Sequence, residues 1–318
     1  MTRNFSRAHI AQGEDGIFTA MWGGHVLQSA FQPIFSLKDG QLSLVAFEAL
    51  LRPVRGNIAV SPNQFFRQVA TKDRFAVETL TRTLHLLNAG KCLDKSAMLF
   101  VNFDPSQFYD RAMADAALRD MLRVLQVADI KPSRVVCEMT EEISSCEPVL
   151  ATFVEALRAE SFRIAIDDYG SGESDIRRVE QLKPDIVKFD AAWINQMMAS
   201  GAGMALLKMM VTSFSQSGIQ TVIEGVEEGW QMELAEHAGA PMVQGYLLAR
   251  PQLALVDFTR SMLSRLNPMR GLDRAIPLAL AQALPSEWTT AKAPAAPLPL
   301  AAAQMGPTRI FGRRQVSR

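Results

Sequence analysis

The sequence predicts an α/β protein built as a closed (β/α)8 barrel of TIM-like architecture, its first strand antiparallel, with a low-complexity C-terminal tail. Three observations carry that expectation. Short apolar runs alternate with helical patterns along most of the chain, as βα units around a parallel sheet do. The runs are continuous rather than alternating, as expected of strands buried on both faces. A Lys38-Asp39-Gly40 turn between two apolar runs reads as a hairpin, so the body opens with an antiparallel pair.

Residues 1–24 are polar and glycine-containing and read as a loosely ordered lead-in, with a short helix around Ile17–Trp22. The barrel is expected over residues 25–265. Ala30–Ile34 and Leu42–Glu48 form the opening hairpin. Two helices follow over Ser61–Gly90, the first entered through Pro62 and the second stopped by Gly90. Strands are expected at Met98–Asn102, Val135–Glu138, Arg163–Asp168, Asp185–Lys188, Thr221–Glu224 and Met242–Gln244. Helices are expected between them at Arg111–Gln126, Pro148–Glu160, Asp175–Leu182, Met204–Ser217 and Trp230–His237. Met204, Met209 and Met210 read as core packing. Residues 266–318, rich in Ala and Pro and ending in Arg309, Arg313, Arg314 and Arg318, read as a disordered tail.

Composition narrows the classes of function. Hydrophobic residues make up 48% and charged residues 21%, the balance of a protein with a sizeable core. Lys and Arg number 33, as do Asp and Glu, which gives no electrostatic case for polymeric nucleic acid or an anionic membrane. Cys92, Cys137 and Cys146 form neither a zinc pattern nor a disulfide framework. No apolar run approaches 18 residues, so the expectation is a soluble cytoplasmic protein.

The chemistry lies at the strand exits. Glu48, Asn102, Glu138, Asp167 with Asp168, Lys188, Glu224 and Gln244 each follow an apolar run. In such a barrel this C-terminal rim is where active sites sit. One acidic turn could be explained by solvation, but the repetition predicts a ring of oxygen donors with one ammonium. None of His9, His25, His85 or His237 falls in the ring, and these are read as structural or surface residues. An all-oxygen set favours Mg2+ or Mn2+. Adjacent Asp167 and Asp168 suit two ions, the arrangement that clamps both oxygens of an in-line displacement at phosphorus. Lys188 reads either as the neutralising partner of the ring or as a catalytic group, and Glu224 as a ligand or a general base. Arg52 is either a surface residue or a fork for a phosphate oxygen.

These residues lie in motifs that resemble the EAL-domain family, which hydrolyses the bacterial second messenger cyclic di-GMP. The resemblance covers about residues 25–255. It runs through Phe31–Ile34, Glu48–Arg52, Val101–Ser106, Glu138–Glu141, Ile166–Gly172, Val187–Asp190, Glu224–Glu227, Gln244–Tyr246 and Arg250-Pro251. It implies a metal-dependent, cyclic-guanylate-specific phosphodiesterase yielding linear pGpG. Glu48, Asn102, Glu138 and Asp167 would hold one Mg2+ or Mn2+, with Asp167 and Asp168 engaging a second. Lys188 would contact the nucleophilic water, Glu224 would act as base or metal-linked acid, and Gln244 would position Glu224 or the water. Gln32 and Arg52 would contact the cyclic dinucleotide. Glu141 would brace the loop after Asp168 through Ser174, and a homodimer near that loop is implied.

Three positions in that loop depart from the family pattern: Ser171 replaces Thr, while Glu173 and Asp175 add acidic groups. Glu173 and Asp175 alone support the alternative, a catalytically silent cyclic di-GMP receptor or interaction module on the same fold. Without the resemblance, the ring would also permit an unrelated barrel lyase or hydrolase.

Overall fold

A computed structural model describes residues 9–38, 40–104, 106, 110–140, 147–172, 175–260, 262 and 275–277. Its centre is a closed barrel of eight strands: β3 (His25–Lys38), β4 (Gln41–Arg55), β6 (Met98–Phe103), β7 (Val135–Met139), β8 (Arg163–Tyr169), β9 (Ile186–Phe189), β10 (Gln220–Ile223) and β11 (Met242–Val243). Neighbours from β4 to β11 are parallel, and β3 closes the ring antiparallel to both β4 and β11.

The opening pair is longer than the apolar runs suggested. Strands β3 and β4 span 14 and 15 residues and continue past the rim as a two-stranded ribbon. That ribbon carries β5 (Ile58–Ala59) on β4 and β2 (Phe18–Trp22) on β3, with β1 (Ile10–Gln12) on β2. The helix expected at Ile17–Trp22 is therefore a strand, and residues 10–22 form a hairpin instead of a loose lead-in. Such short strands have little periodicity of their own; pairing with β3 makes them. Between this extension and the helices α1 (Pro62–Gln68) and α2 (Arg74–Cys92) lies a separate apolar cluster that includes Leu27, Leu51, Phe65, Leu80 and Leu84.

Helix α1 starts as its sequence dictates, with Pro62 in the first turn and a reciprocal Ser61–Gln64 capping box. Helix α2 is not stopped by Gly90. It runs on to Cys92, and a Cβ at Gly90 would lie 2.2 Å from the Ala128 carbonyl oxygen of α3 (Arg111–Ala128). Glycine there permits helix–helix contact. The remaining outer helices are α4 (Glu147–Ala159), α5 (Asp175–Leu182), α6 (Ala191–Met198), α7 (Gly201–Gln216) and α8 (Gly229–Ala238). Helix α6 was not legible: it is two turns long and begins directly after β9, where the Asp190 carboxylate accepts from the Trp193 amide at 2.8 Å.

The main core fills the space between barrel and helices. Met204 and Met210 pack against it, but Met209 is 62% exposed, on the outward side of α7. Two further strands touch the barrel: β12 (Gln252–Leu253) on β3, and β13 (Ala275–Pro277) on β4 at Gln41–Ser43. Thus three residues of the expected tail pair with the sheet, while most of that segment, like Cys146, Glu141, Glu173 and Ser174, lies outside the described residues.

Inside the barrel, one residue per strand forms an apolar layer: Ile34, Ala46, Phe100, Val136, Ala165, Ile186, Val222 and Met242. Side chains on a strand share a face every second residue. Two residues toward the C-terminal rim from each parallel-strand member stand Glu48, Asn102, Glu138, Asp167, Lys188, Glu224 and Gln244, and two back along antiparallel β3 stands Gln32. The apolar layer is the floor, and the polar layer above it is the ring of candidate site residues.

Candidate active site

Glu48 does not end its strand, because β4 continues to Arg55 as part of the ribbon; it nonetheless falls in the same layer as the other exits. Asn102 and Glu138 are register partners on β6 and β7. On β8 the register shifts: Ile166 pairs with Val187 and Tyr169 with Phe189 on β9, so Asp167 and Asp168 face the single residue Lys188. Asp168 takes the left-handed conformation, φ +53°, which Asp tolerates better than most residues. The bulge delivers both carboxylates to the rim.

Lys188 stands at the centre, 1% exposed. Its Nζ lies 2.6 Å from Glu224 Oε1, 3.1 Å from Asp167 Oδ1 and 3.6 Å from Glu48 Oε2, and makes a close ion pair with Glu138. Burial opposes the charge on this ammonium, but Asp167, Glu138, Glu224 and Glu48 outweigh it and hold its pKa well above the ordinary value. Burial and then Asp167 push Glu138 well up, despite Lys188. Burial likewise raises Glu224, to about 8, with Lys188 pulling the other way. The second layer of contacts is built from amides. Gln244 Nε2 donates to Glu48 Oε2 at 2.7 Å, and Gln32 Nε2 to the Ala249 carbonyl at 3.2 Å. Arg52 NH1 donates to the neighbouring Leu51 carbonyl at 2.8 Å; burial lowers its pKa, while Tyr246 and Glu48 raise it.

One oxygen each from Glu138, Asp167 and Glu224 lies within 4.8 Å of the others. Both Glu138 oxygens are buried; Oε1 is met by the Lys188 ammonium, while Oε2, like Gln244 Oε1, has no partner among the described residues. Buried acceptors of this kind are costly unless a cation meets them. The donor set is wholly oxygen and the residues fit a hard divalent ion. Glu224 stands close enough to Glu138 and Asp167 to share an ion with them, in keeping with the ligand reading that its sequence position left open beside that of a base.

Two features were missed in the sequence. Arg178 of α5 donates to the Met139 and Thr140 carbonyls, at 2.9 and 2.8 Å, and so fixes the end of the strand that bears Glu138. Beside the ring opens a cavity of about 640 Å3 with Asn102, Asp168 and Thr140 at one end and one face of α2 as a wall. Arg74, Glu78, Arg82 and His85 lie along that face. Charged residues four apart on a helix read as a solvated surface; only the packing of β6 and α1 against α2 buries them. His85, expected to be structural, does hold structure: its Nδ1 meets Ser29 Oγ at 2.8 Å, and burial, then Arg52, push its pKa down to about 3.

The EAL domain model matches residues 23–251. The probable cyclic di-GMP phosphodiesterase PdeA of Escherichia coli (strain K12) is 28% identical over 243 residues, which are 74% of this chain and 32% of PdeA. The chain therefore spans about a third of that relative's length. Among solved structures, a manganese and cyclic di-GMP complex of Klebsiella pneumoniae BlrP1 aligns with a TM-score of 0.65 and 26% identity, over 78% of this chain and 60% of that one. A standalone EAL protein of Vibrio cholerae O395 in its c-di-GMP bound form gives 0.62 and 26%, over 71% and 92%. No helix among the described residues is long and apolar enough to cross a membrane.

Proposed function

The chain belongs to the EAL domain family, and on that premise we propose that it is a metal-dependent phosphodiesterase hydrolysing cyclic di-GMP to linear pGpG. The observation that carries the reading is the polar ring of oxygen donors around Lys188, with a buried Glu138 oxygen, Oε2, that meets no donor among the described residues. In this reading Glu48, Asn102, Glu138 and Asp167 would hold one Mg2+ or Mn2+, and Asp167 and Asp168 would engage a second. Such ions would supply Lewis-acid polarisation of a phosphoryl oxygen and a lowered pKa for an attacking water.

The chain's own residues do the rest. Lys188 keeps its proton, so it orients the water and balances the carboxylates; it does not act as a base. Glu224, 2.6 Å from Lys188, takes the proton from the attacking water. Gln244 fixes Glu48 through its hydrogen bond. Gln32 and Arg52 bind the dinucleotide. The water oxygen bonds to one phosphorus as one ester P–O bond breaks, and the released sugar oxygen takes up a proton, leaving a linear dinucleotide with one phosphate monoester. Glu141 bracing Ser174, a homodimer and a cytoplasmic setting complete the reading.

The test is hydrolysis by purified protein with Mg2+, with Mn2+ and with chelator, beside a Glu48→Ala control. Metal-dependent production of pGpG, lost in the control, is expected. Intact substrate under all conditions, while an active family member cleaves it, would sink the reading in favour of a silent receptor.

A further inference from the structure

We propose that Glu78 and Arg82 on α2 read one guanine base of the substrate, Glu78 accepting from its N1–H and 2-amino groups and Arg82 donating to its O6 edge. The inference rests on the cyclic di-GMP reading above and assigns specificity to residues outside the ring.

Four observations support it. First, both side chains line the cavity that opens from Asn102 and Asp168, and its volume of about 640 Å3 is in the range of small-ligand sites. Second, the pair is built into the wall. Arg82 is 7% exposed, its guanidinium stacked 4.2 Å over the Phe103 ring and 3.6 Å from Glu78 Oε2, so its direction is fixed before any ligand arrives. Third, the pair is under-used internally. The ion contact is long for a charge-assisted bond and Arg82 NH2 reaches Thr79 Oγ1 only at 3.5 Å, geometry that leaves bonding capacity on both groups. Fourth, Thr81 Oγ1 and Thr140 Oγ1, which also line the cavity, are buried and have no hydrogen-bond partner among the described residues. A wall with a fixed guanidinium, a carboxylate and two idle hydroxyls is built for a polar planar ligand.

The base follows from donor and acceptor order. Guanine presents an acceptor, O6, beside two donors, N1–H and the 2-amino group. A guanidinium next to a carboxylate is the complement of that edge, with both carboxylate oxygens used. Adenine offers one donor beside one acceptor and leaves one oxygen of Glu78 idle. Burial raises Glu78 to about 7, with Arg82 opposing, which is consistent with a carboxylate lacking a full set of donors of its own.

The experiment uses the full chain with Ca2+ and titrates cyclic di-GMP against its inosine analogue, which lacks both 2-amino groups. The intact protein is expected to favour the guanine ligand by about tenfold or more, the worth of a hydrogen bond to a charged group. Glu78→Gln should cut that preference by about tenfold. Arg82→Lys should weaken both ligands alike and leave the ratio unchanged, because inosine keeps O6. Equal weakening of both ligands by Glu78→Gln would show a purely structural pair and overturn the proposal, as would absence of any guanine preference or of any binding. Hydrolysis is measured separately: guanine preference without turnover would defeat the phosphodiesterase reading and leave the base-reading pair standing.

Discussion

Replacing Lys188 with methionine tests the electrostatics of the ring directly. In the metal-free protein this one ammonium faces Glu48, Glu138, Asp167 and Glu224 from a position 1% exposed. Methionine keeps most of the volume and the straight stem, so packing changes little. What is lost is the one cation among the described residues within ion-pair reach of Glu138, whose Oε1 meets Lys188 and whose Oε2 meets no donor among them. Breaking a buried ion pair by removing one partner costs about 3–5 kcal/mol, because the other charge is stranded or must take up a proton. A domain of this size loses roughly 2–4 °C per kcal/mol, so the expected fall in Tm is about 10 °C in chelator. Adding Mn2+ should raise the Tm of Lys188→Met more than that of the intact protein, since the ion then meets four carboxylates without a competing ammonium. Thermal denaturation with and without Mn2+ measures both effects. A chelated variant melting within about 2 °C of the intact protein would refute the argument. So would a variant indifferent to Mn2+, because the carboxylates would then have no appetite for a cation.

Three other outcomes follow from the geometry. Gln244→Ala removes the 2.7 Å bond to Glu48 and should cut hydrolysis roughly 10–100-fold while the fold, read by circular dichroism, stays intact. Gly245→Ala would put a Cβ 2.0 Å from the Val226 carbonyl oxygen, which already accepts from the Leu247 amide; a loss of roughly 3 kcal/mol in denaturant melts is expected. Glu78 has a folded pKa of about 7, above its ordinary 4.5, so the folded state binds its proton more tightly than the unfolded chain does. Its contribution to stability is therefore full below about pH 4.5 and is lost as pH rises toward 7, by roughly 3 kcal/mol. Comparing denaturant midpoints of the intact protein and Glu78→Gln across pH 5–8 should show this fall only in the former.

Much of the site was legible because a barrel interior obeys a two-residue period. Every apolar run that ended in a polar side chain marked both a strand and a ring position, and that is why Glu48, Asn102, Glu138, Asp167, Lys188, Glu224 and Gln244 share one layer. The bulge at Asp167–Asp168 was hidden, since a register shift is a property of two strands and the sequence displays one at a time. Strands β1 and β2 were hidden for the same reason, as β2 exists through β3 and β1 through β2. The Arg74–Glu78–Arg82 row misleads in the opposite sense. Its spacing is that of a solvated helix face, and only tertiary packing, such as Arg82 over the Phe103 ring, encloses it.

The seam of the barrel gives the ring a second consequence. Strand β11 is two residues long and is in register with β3 at Met242–Ser36 and Val243–Phe35, a pairing as short as the one it makes with β10. Just beyond it, Gln244 reaches over β3 to Glu48 on β4. The bond therefore works as a clasp: the last segment to enter the cylinder is fastened to the first by the same carboxylate that stands in the ring. A chain cut short before Gln244 would lack the fastening and a ring residue together, so on the phosphodiesterase reading a half-made barrel would be inactive. In that reading catalytic competence and completion of the circle become one event.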